Sequence, residues 1–176
     1  PAWSQPRYIA DGVMIKKPVV LANGDWLFAN HDRKTADIGL LKAVVSEDQG
    51  KSFRVRGQVE VSHDMHAIEP MPVERKDGSL WMLVPITRGI GERFFTDGGV
   101  TWSLLRRPTV THTPSRYFIG RLQSGNLLLG KHLGIDEGPV SGGKANQRRE
   151  LTAWILKDDG TALSGGLVLD DRVDCS

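Results

Sequence analysis

Glu69, Arg116, His31 and His132 are the residues whose types and spacing could do chemistry together. Aligned on the turn glycines Gly24, Gly78 and Gly125, Glu69 and Arg116 each stand nine residues before a glycine, and His31 and His132 each stand seven after one. Side chains alternate with a period of two along strands, so equal offsets put equivalent residues at the same end of their hairpins. All four are therefore expected on one rim, away from the glycine turns. Lys16 and Lys17 approach that rim in the first repeat, and Arg88 follows the second return strand. A guanidinium grips a carboxylate through two parallel hydrogen bonds, a neighbouring Glu can hold the Arg in place, and a neutral imidazole can act as general base near pH 7. The set suits an acidic sugar, with Glu69, Arg116 and His132 as candidate catalytic residues and His31, Arg88 and Lys17 as candidate substrate-binding residues. The plainer alternative is a loop-anchoring Glu69–Arg116 ion pair with ordinary rim histidines.

The elements that must position these residues are short strands joined by turns. The 20 Gly and 9 Pro punctuate brief apolar runs rather than gathering into a linker, which predicts an all-β chain. Hairpins are expected across Asn23-Gly24, Asp77-Gly78 and Ser124-Gly125, whose glycines are 54 and 47 residues apart. Downstream of each lies an octapeptide. Ser46-Glu47-Asp48-Gln49-Gly50-Lys51-Ser52-Phe53 is repeated by Phe95-Thr96-Asp97-Gly98-Gly99-Val100-Thr101-Trp102, and Leu156 to Leu163 reads as a worn third copy keeping Asp158 and Gly160. An Asp in such a turn accepts hydrogen bonds from the turn's own amides, Gly supplies the permissive φ, and the aromatic residue plugs into the core. Asp48, Gly50, Asp97, Gly99, Asp158 and Gly160 are therefore expected to be structural.

The repeated octapeptide resembles the Asp-box of the sialidase superfamily, whose members are β-propellers of four-stranded blades. Three further stretches resemble bacterial sialidase-like proteins: Glu69-Pro70-Met71-Pro72-Val73-Glu74 before Asp77-Gly78-Ser79-Leu80-Trp81, Ser115-Arg116-Tyr117-Phe118 before Ser124 to Leu128, and Leu169-Asp170-Asp171-Arg172. The resemblance implies exo-hydrolysis of a terminal glycosidic bond, of sialic acid or another acidic sugar, without a cofactor. It gives Arg116 one place in a carboxylate-binding arginine set and Glu69 a supporting or acid/base role, and it implies a secreted or periplasmic protein. Pro85 departs from the pattern, since relatives carry an active-site Arg there, and the Tyr nucleophile of the family would lie beyond Ser176. Two rivals remain open: a carbohydrate-binding propeller without catalysis, and a glycan lyase acting on uronates.

Length and composition bound these expectations. At about 50 residues per repeat the 176 residues hold three to three and a half blades, whereas a propeller closes with roughly four to eight. One partial propeller domain over 1–176 is expected, with repeats at roughly 12–55, 64–104 and 112–165 and the start of a further blade at 166–176. Blades that leave strand edges open need a partner, so the missing half is expected from the rest of the protein or from a second copy, as a homodimer. Pro1-Ala2-Trp3 brings neither an initiator Met nor a leader, so a processed or partial chain is expected. The net charge of +2 is spread evenly, without the basic face that nucleic acid requires. Apolar runs such as Leu80 to Ile86 fall far short of the roughly 20 residues that cross a bilayer, so no membrane partner is expected. The lone Cys175 permits no intrachain disulfide, and His63-x-x-His66 beside Asp64 lacks a further ligand, so no metal is expected either.

Overall fold

The computed structural model describes residues 3–65, 67–86, 89–106, 116–133 and 149–171. Among these, the chain forms three antiparallel sheets in sequence. The first runs β1 (Val19–Val20), β2 (Trp26–Arg33), β3 (Ile38–Ser46) and β4 (Arg54–Ser62), each strand beside the next. The second holds β5 (Met71–Glu74), β6 (Leu80–Ile86) and β7 (Gly89–Phe95), with an isolated bridge from Glu92 to Arg106 along its outer edge. The third holds β8 (Phe118–Arg121), β9 (Leu127–Leu133), β10 (Arg149–Leu156) and β11 (Leu167–Asp170). The segment 166–176 was expected to open a further blade. Its described strand, β11, instead pairs with β10 and completes the third sheet.

The alternation of β6 explains why the sheets stack as blades. Leu80, Met82 and Val84 face the first sheet, where they meet Leu27, Ala29, Leu41, Ala43 and Val45. Trp81 and Leu83 face the other way, onto Ile119, Leu127 and Leu129 of the third sheet. The central strand of a central blade is covered on both faces, so its sequence is apolar throughout rather than alternating. Leu80, Met82 and Leu83 are each 1% exposed, worth roughly 2 kcal/mol apiece in buried apolar surface.

The three hairpin turns share one geometry. In each, only the glycine takes a positive φ, at 88° for Gly24, 80° for Gly78 and 84° for Gly125. Its N–H donates three residues back, to Leu21, Arg75 and Leu122 respectively. These are three-residue turns with a bulge glycine, not two-residue turns with a pair of positive φ angles.

Two octapeptides close on their own aspartates. Asp48 Oδ1 accepts the amides of Lys51 (2.9 Å) and Ser52 (2.8 Å) and the Ser46 hydroxyl (2.8 Å). Asp97 Oδ1 accepts Val100 and Thr101, both at 2.9 Å. The third copy does something else. Gly160 N donates to Lys157 O, as in the hairpins, and Asp159 accepts Thr161 N at 2.8 Å, as Asp77 accepts Ser79 N. Asp158 is left to reach the neighbouring blade, where it accepts Lys76 N at 2.9 Å, while it pairs with Arg121 at the end of β8 in its own blade. Lys157-Asp158-Asp159-Gly160-Thr161 is thus a hairpin turn in its hydrogen bonding, and the expected third Asp-box role of Asp158 is replaced by an inter-blade staple. Ala162 stands where the first two copies carry Ser52 and Thr101, so the hydroxyl is missing there.

These turns set the acid response. Hydrogen bonds from the Ser52 hydroxyl and amide, then from the Ser46 hydroxyl, hold the Asp48 carboxyl well below its ordinary range, and Thr101 holds Asp97 down in the same way. A carboxyl with a depressed folded pKa contributes stability that is present above its unfolded pKa, about 4, and lost as pH falls through the folded value. Asp48→Asn is therefore expected to melt below the parent at pH 7 and to converge on it towards pH 2. Thermal midpoints across that range test this; a constant gap between the two proteins would place the effect elsewhere.

Candidate functional site

The rim opposite the glycine turns gathers the end of β2, the linker 67–70 and the residue pair ahead of β8. Three of the sequence candidates meet there. The Glu69 N–H donates to His31 Nδ1 at 3.2 Å, and Arg116 Nε lies 3.5 Å from Glu69 Oε1. The Glu69 side chain is only 20% exposed while that of Arg116 is 79% exposed, so the pair presents its guanidinium outward from a seated carboxylate. Glu69 adopts φ +53°, which costs a residue with a Cβ roughly 1 kcal/mol and is further disfavoured before Pro70.

His31 is half-buried, and that burial pushes its pKa down against the pull of Glu69 and Asp32. It also lines a cleft of about 470 Å³, together with Asp32, Arg33, His63 and an apolar floor that includes Val61 and Ile68. Asp32 pairs with the buried Lys42, which is the main reason its carboxyl is held low. None of Asp32, Arg33 and Lys42 was singled out from the sequence. Asp32 and Arg33 simply follow His31 on β2, and the strand continues to the rim, which is the signal that could have found them.

Of the remaining candidates, His132 and Lys17 are described. His132 lies near the end of β9, with its Nδ1 buried and lacking a hydrogen-bond partner among the described residues. Lys17 is exposed, and it is Lys16 that turns inward. Lys16 Nζ donates to Pro72 O at 3.1 Å and to Ile119 O, tying the innermost strands of the second and third blades together, and burial pushes its pKa down to about 8. Arg88 and His66 lie outside the described residues. Pro85 is buried within β6 opposite Ile90. Tyr117 is no nucleophile on this rim: its hydroxyl donates to Leu83 O at 2.6 Å and the side chain is 4% exposed. Among the described residues no three His, Cys, Asp or Glu side chains gather to hold a metal, and no helix is long and apolar enough to cross a membrane.

No family model and no curated protein matches the chain. Solved structures do. A Hadza microbial sialidase superposes with a TM-score of 0.67 at 17% identity, over 89% of this chain and 30% of that one. A Trypanosoma rangeli sialidase, solved with 2,3-difluorosialic acid, gives 0.66 at 18% identity over 89% and 25%. The GH93 α-L-arabinofuranosidase of Fusarium graminearum gives 0.58 at 14% identity over 82% and 45%. The chain thus spans a quarter to somewhat under half of the length of these structures. At these identities the likeness is one of fold: three consecutive blades of a sialidase-type β-propeller.

Proposed function

We propose that these blades belong to an exo-acting glycoside hydrolase of sialidase type, which removes a terminal acidic sugar from glycans. The observation that carries this reading is the outward-facing Arg116 guanidinium seated on Glu69, a donor fork for a substrate carboxylate at the rim. Arg116 grips the carboxylate, and Glu69 orients it or exchanges a proton with the glycosidic oxygen. We assign His132 a part in proton transfer, and Lys17 and Arg88 a part in binding the charge of the substrate. The ring is completed by further blades of the protein or by those of a second copy, and the nucleophile comes from there. The octapeptides around Asp48 and Asp97 serve as structural Asp-boxes.

The test is the product. Incubated with 3′-sialyllactose, the intact protein is expected to release free sialic acid and lactose. Release of an ultraviolet-absorbing unsaturated sugar from a uronate-containing glycan, with no sialic acid freed, would convert the reading to a lyase. Binding of either glycan without any product would make the propeller a carbohydrate-binding module.

A further inference from the structure

We propose that His31 is a positioning residue for Glu69: by accepting the Glu69 backbone N–H it holds that residue in its left-handed conformation against Arg116, and protonation of His31 releases it. The two ring nitrogens of a neutral imidazole divide into one donor and one acceptor, and the 3.2 Å bond from Glu69 N assigns Nδ1 as the acceptor. An imidazolium has no acceptor. Adding one proton therefore removes the bond and sets an N–H against an N–H.

The backbone it restrains has reason to leave. Glu69 sits at φ +53° and precedes Pro70, so neither its Cβ nor its neighbour favours the conformation. Surrounding contacts must impose it, and the His31 bond is a contact of that kind. Thirty-eight residues separate the partners, so the bond also ties the first blade to the linker that leads into the second. The Glu69 carboxylate lies beside Arg116, which precedes β8, so the restraint reaches across to the third blade.

Among the described residues, the titratable and charged groups that face His31 are Asp32 and Arg33 from β2, His63 from the turn after β4, Glu69 from the linker and, behind it, Arg116. Asp32 is engaged by Lys42, which weakens its support for an imidazolium. Burial outweighs the two carboxylates and keeps the proton off. The latch thus holds at neutral pH and opens as pH falls below 6.5.

The link to sugar binding rests on the function proposed above, whereas the latch itself does not, and the experiment separates them. Histidine-selective ¹⁵N NMR of the intact protein is expected to show His31 as the Nε2–H tautomer at pH 7, titrating below 6.5, with the Glu69 amide resonance moving at the same midpoint. An Nδ1–H tautomer, or a Glu69 amide indifferent to that titration, overturns the proposal whatever the sugar does. The second arm measures affinity for the unsaturated sialic acid analogue DANA. The parent is expected to weaken as pH falls from 7 through the His31 midpoint seen by NMR, by about tenfold once His31 is protonated, the scale of one hydrogen bond to a positioned group. His31→Asn keeps an acceptor at the δ position that cannot be protonated, so it should bind more tightly than His31→Ala and lose the parent's pH dependence. His31→Ala should bind about tenfold more weakly than the parent does at pH 7, above and below that midpoint. Should His31→Asn fail like His31→Ala, the acceptor is not what matters and the proposal falls. Coupled His31 and Glu69 titrations with no DANA binding would retain the latch and remove the sialic acid reading.

Discussion

Arg116→Lys is expected to lower kcat/KM on a terminal acidic sugar by one to two orders of magnitude while leaving the thermal midpoint within a degree or two. The substitution keeps the positive charge and removes the planar fork, so it isolates the second parallel hydrogen bond to the substrate carboxylate. A hydrogen bond to a charged group is worth roughly 1.5–3 kcal/mol, which converts to about ten- to a hundredfold. The Arg116 side chain is 79% exposed and its Nε lies 3.5 Å from Glu69, so as an ion pair it contributes at most about 1 kcal/mol to folding. The two roles therefore separate cleanly. A residue that merely anchors the linker would lower the midpoint and spare the kinetics. A residue that grips substrate does the reverse, and unchanged kinetics would remove Arg116 from the site.

The largest stability effect is expected at Gly57, in the middle of β4. A Cβ there would lie 2.7 Å from the Val100 carbonyl oxygen, closer still to that of Gly99, and 3.1 Å from Trp102 Nε1. The first two are backbone atoms of the second blade's octapeptide, which is itself pinned by the amides of Val100 and Thr101 on Asp97. Neither side can yield locally, so Gly57→Ala must part the first blade from the second. Overpacking of this kind costs about 1–3 kcal/mol, and the upper end is expected because the clash is with backbone on both counts. Chemical denaturation at constant m-value measures it. A loss below about 0.5 kcal/mol would mean that the seam is soft. The same variant is expected to lower activity, because His31 on the first blade holds Glu69 across that seam.

Gly57 also shows how the seam is aligned. The pairing of β3 with β4 shifts register between Ala43 and Val44, so Ala43 faces Gly57 and Val44 faces Val55. Arg56 is the extra residue of this bulge. Its guanidinium reaches Asp25 at 2.6 Å, Glu47 at 2.8 Å and the Gly98 carbonyl of the second blade at 3.2 Å. A bulge aims a side chain off the regular alternation, and here it aims one at the neighbouring blade.

What the sequence determined by itself is what short-range chemistry controls. The glycines at 24, 78 and 125 fixed the hairpins, and Asp48 and Asp97 fixed their turns, because each of those hydrogen bonds closes within four residues. Counting from the glycines also placed His31, Glu69 and Arg116 on one rim, since a two-residue period carries register faithfully over a short strand. The tertiary structure decided the rest. Lys16 rather than Lys17 enters between the inner strands, a choice that rests on carbonyls 56 and 103 residues away. Asp158 joins the second blade to the first strand of its own blade instead of closing its own turn, through Lys76 and Arg121, 82 and 37 residues distant. Leu167–Asp170 joins β10, because pairing partners are chosen by which edge is within reach and not by repeat count. The bond from Glu69 to His31 belongs with these: both residue types were visible on the rim, but an imidazole nitrogen accepting one particular amide exists only once two blades have packed and burial has kept that nitrogen free of its proton.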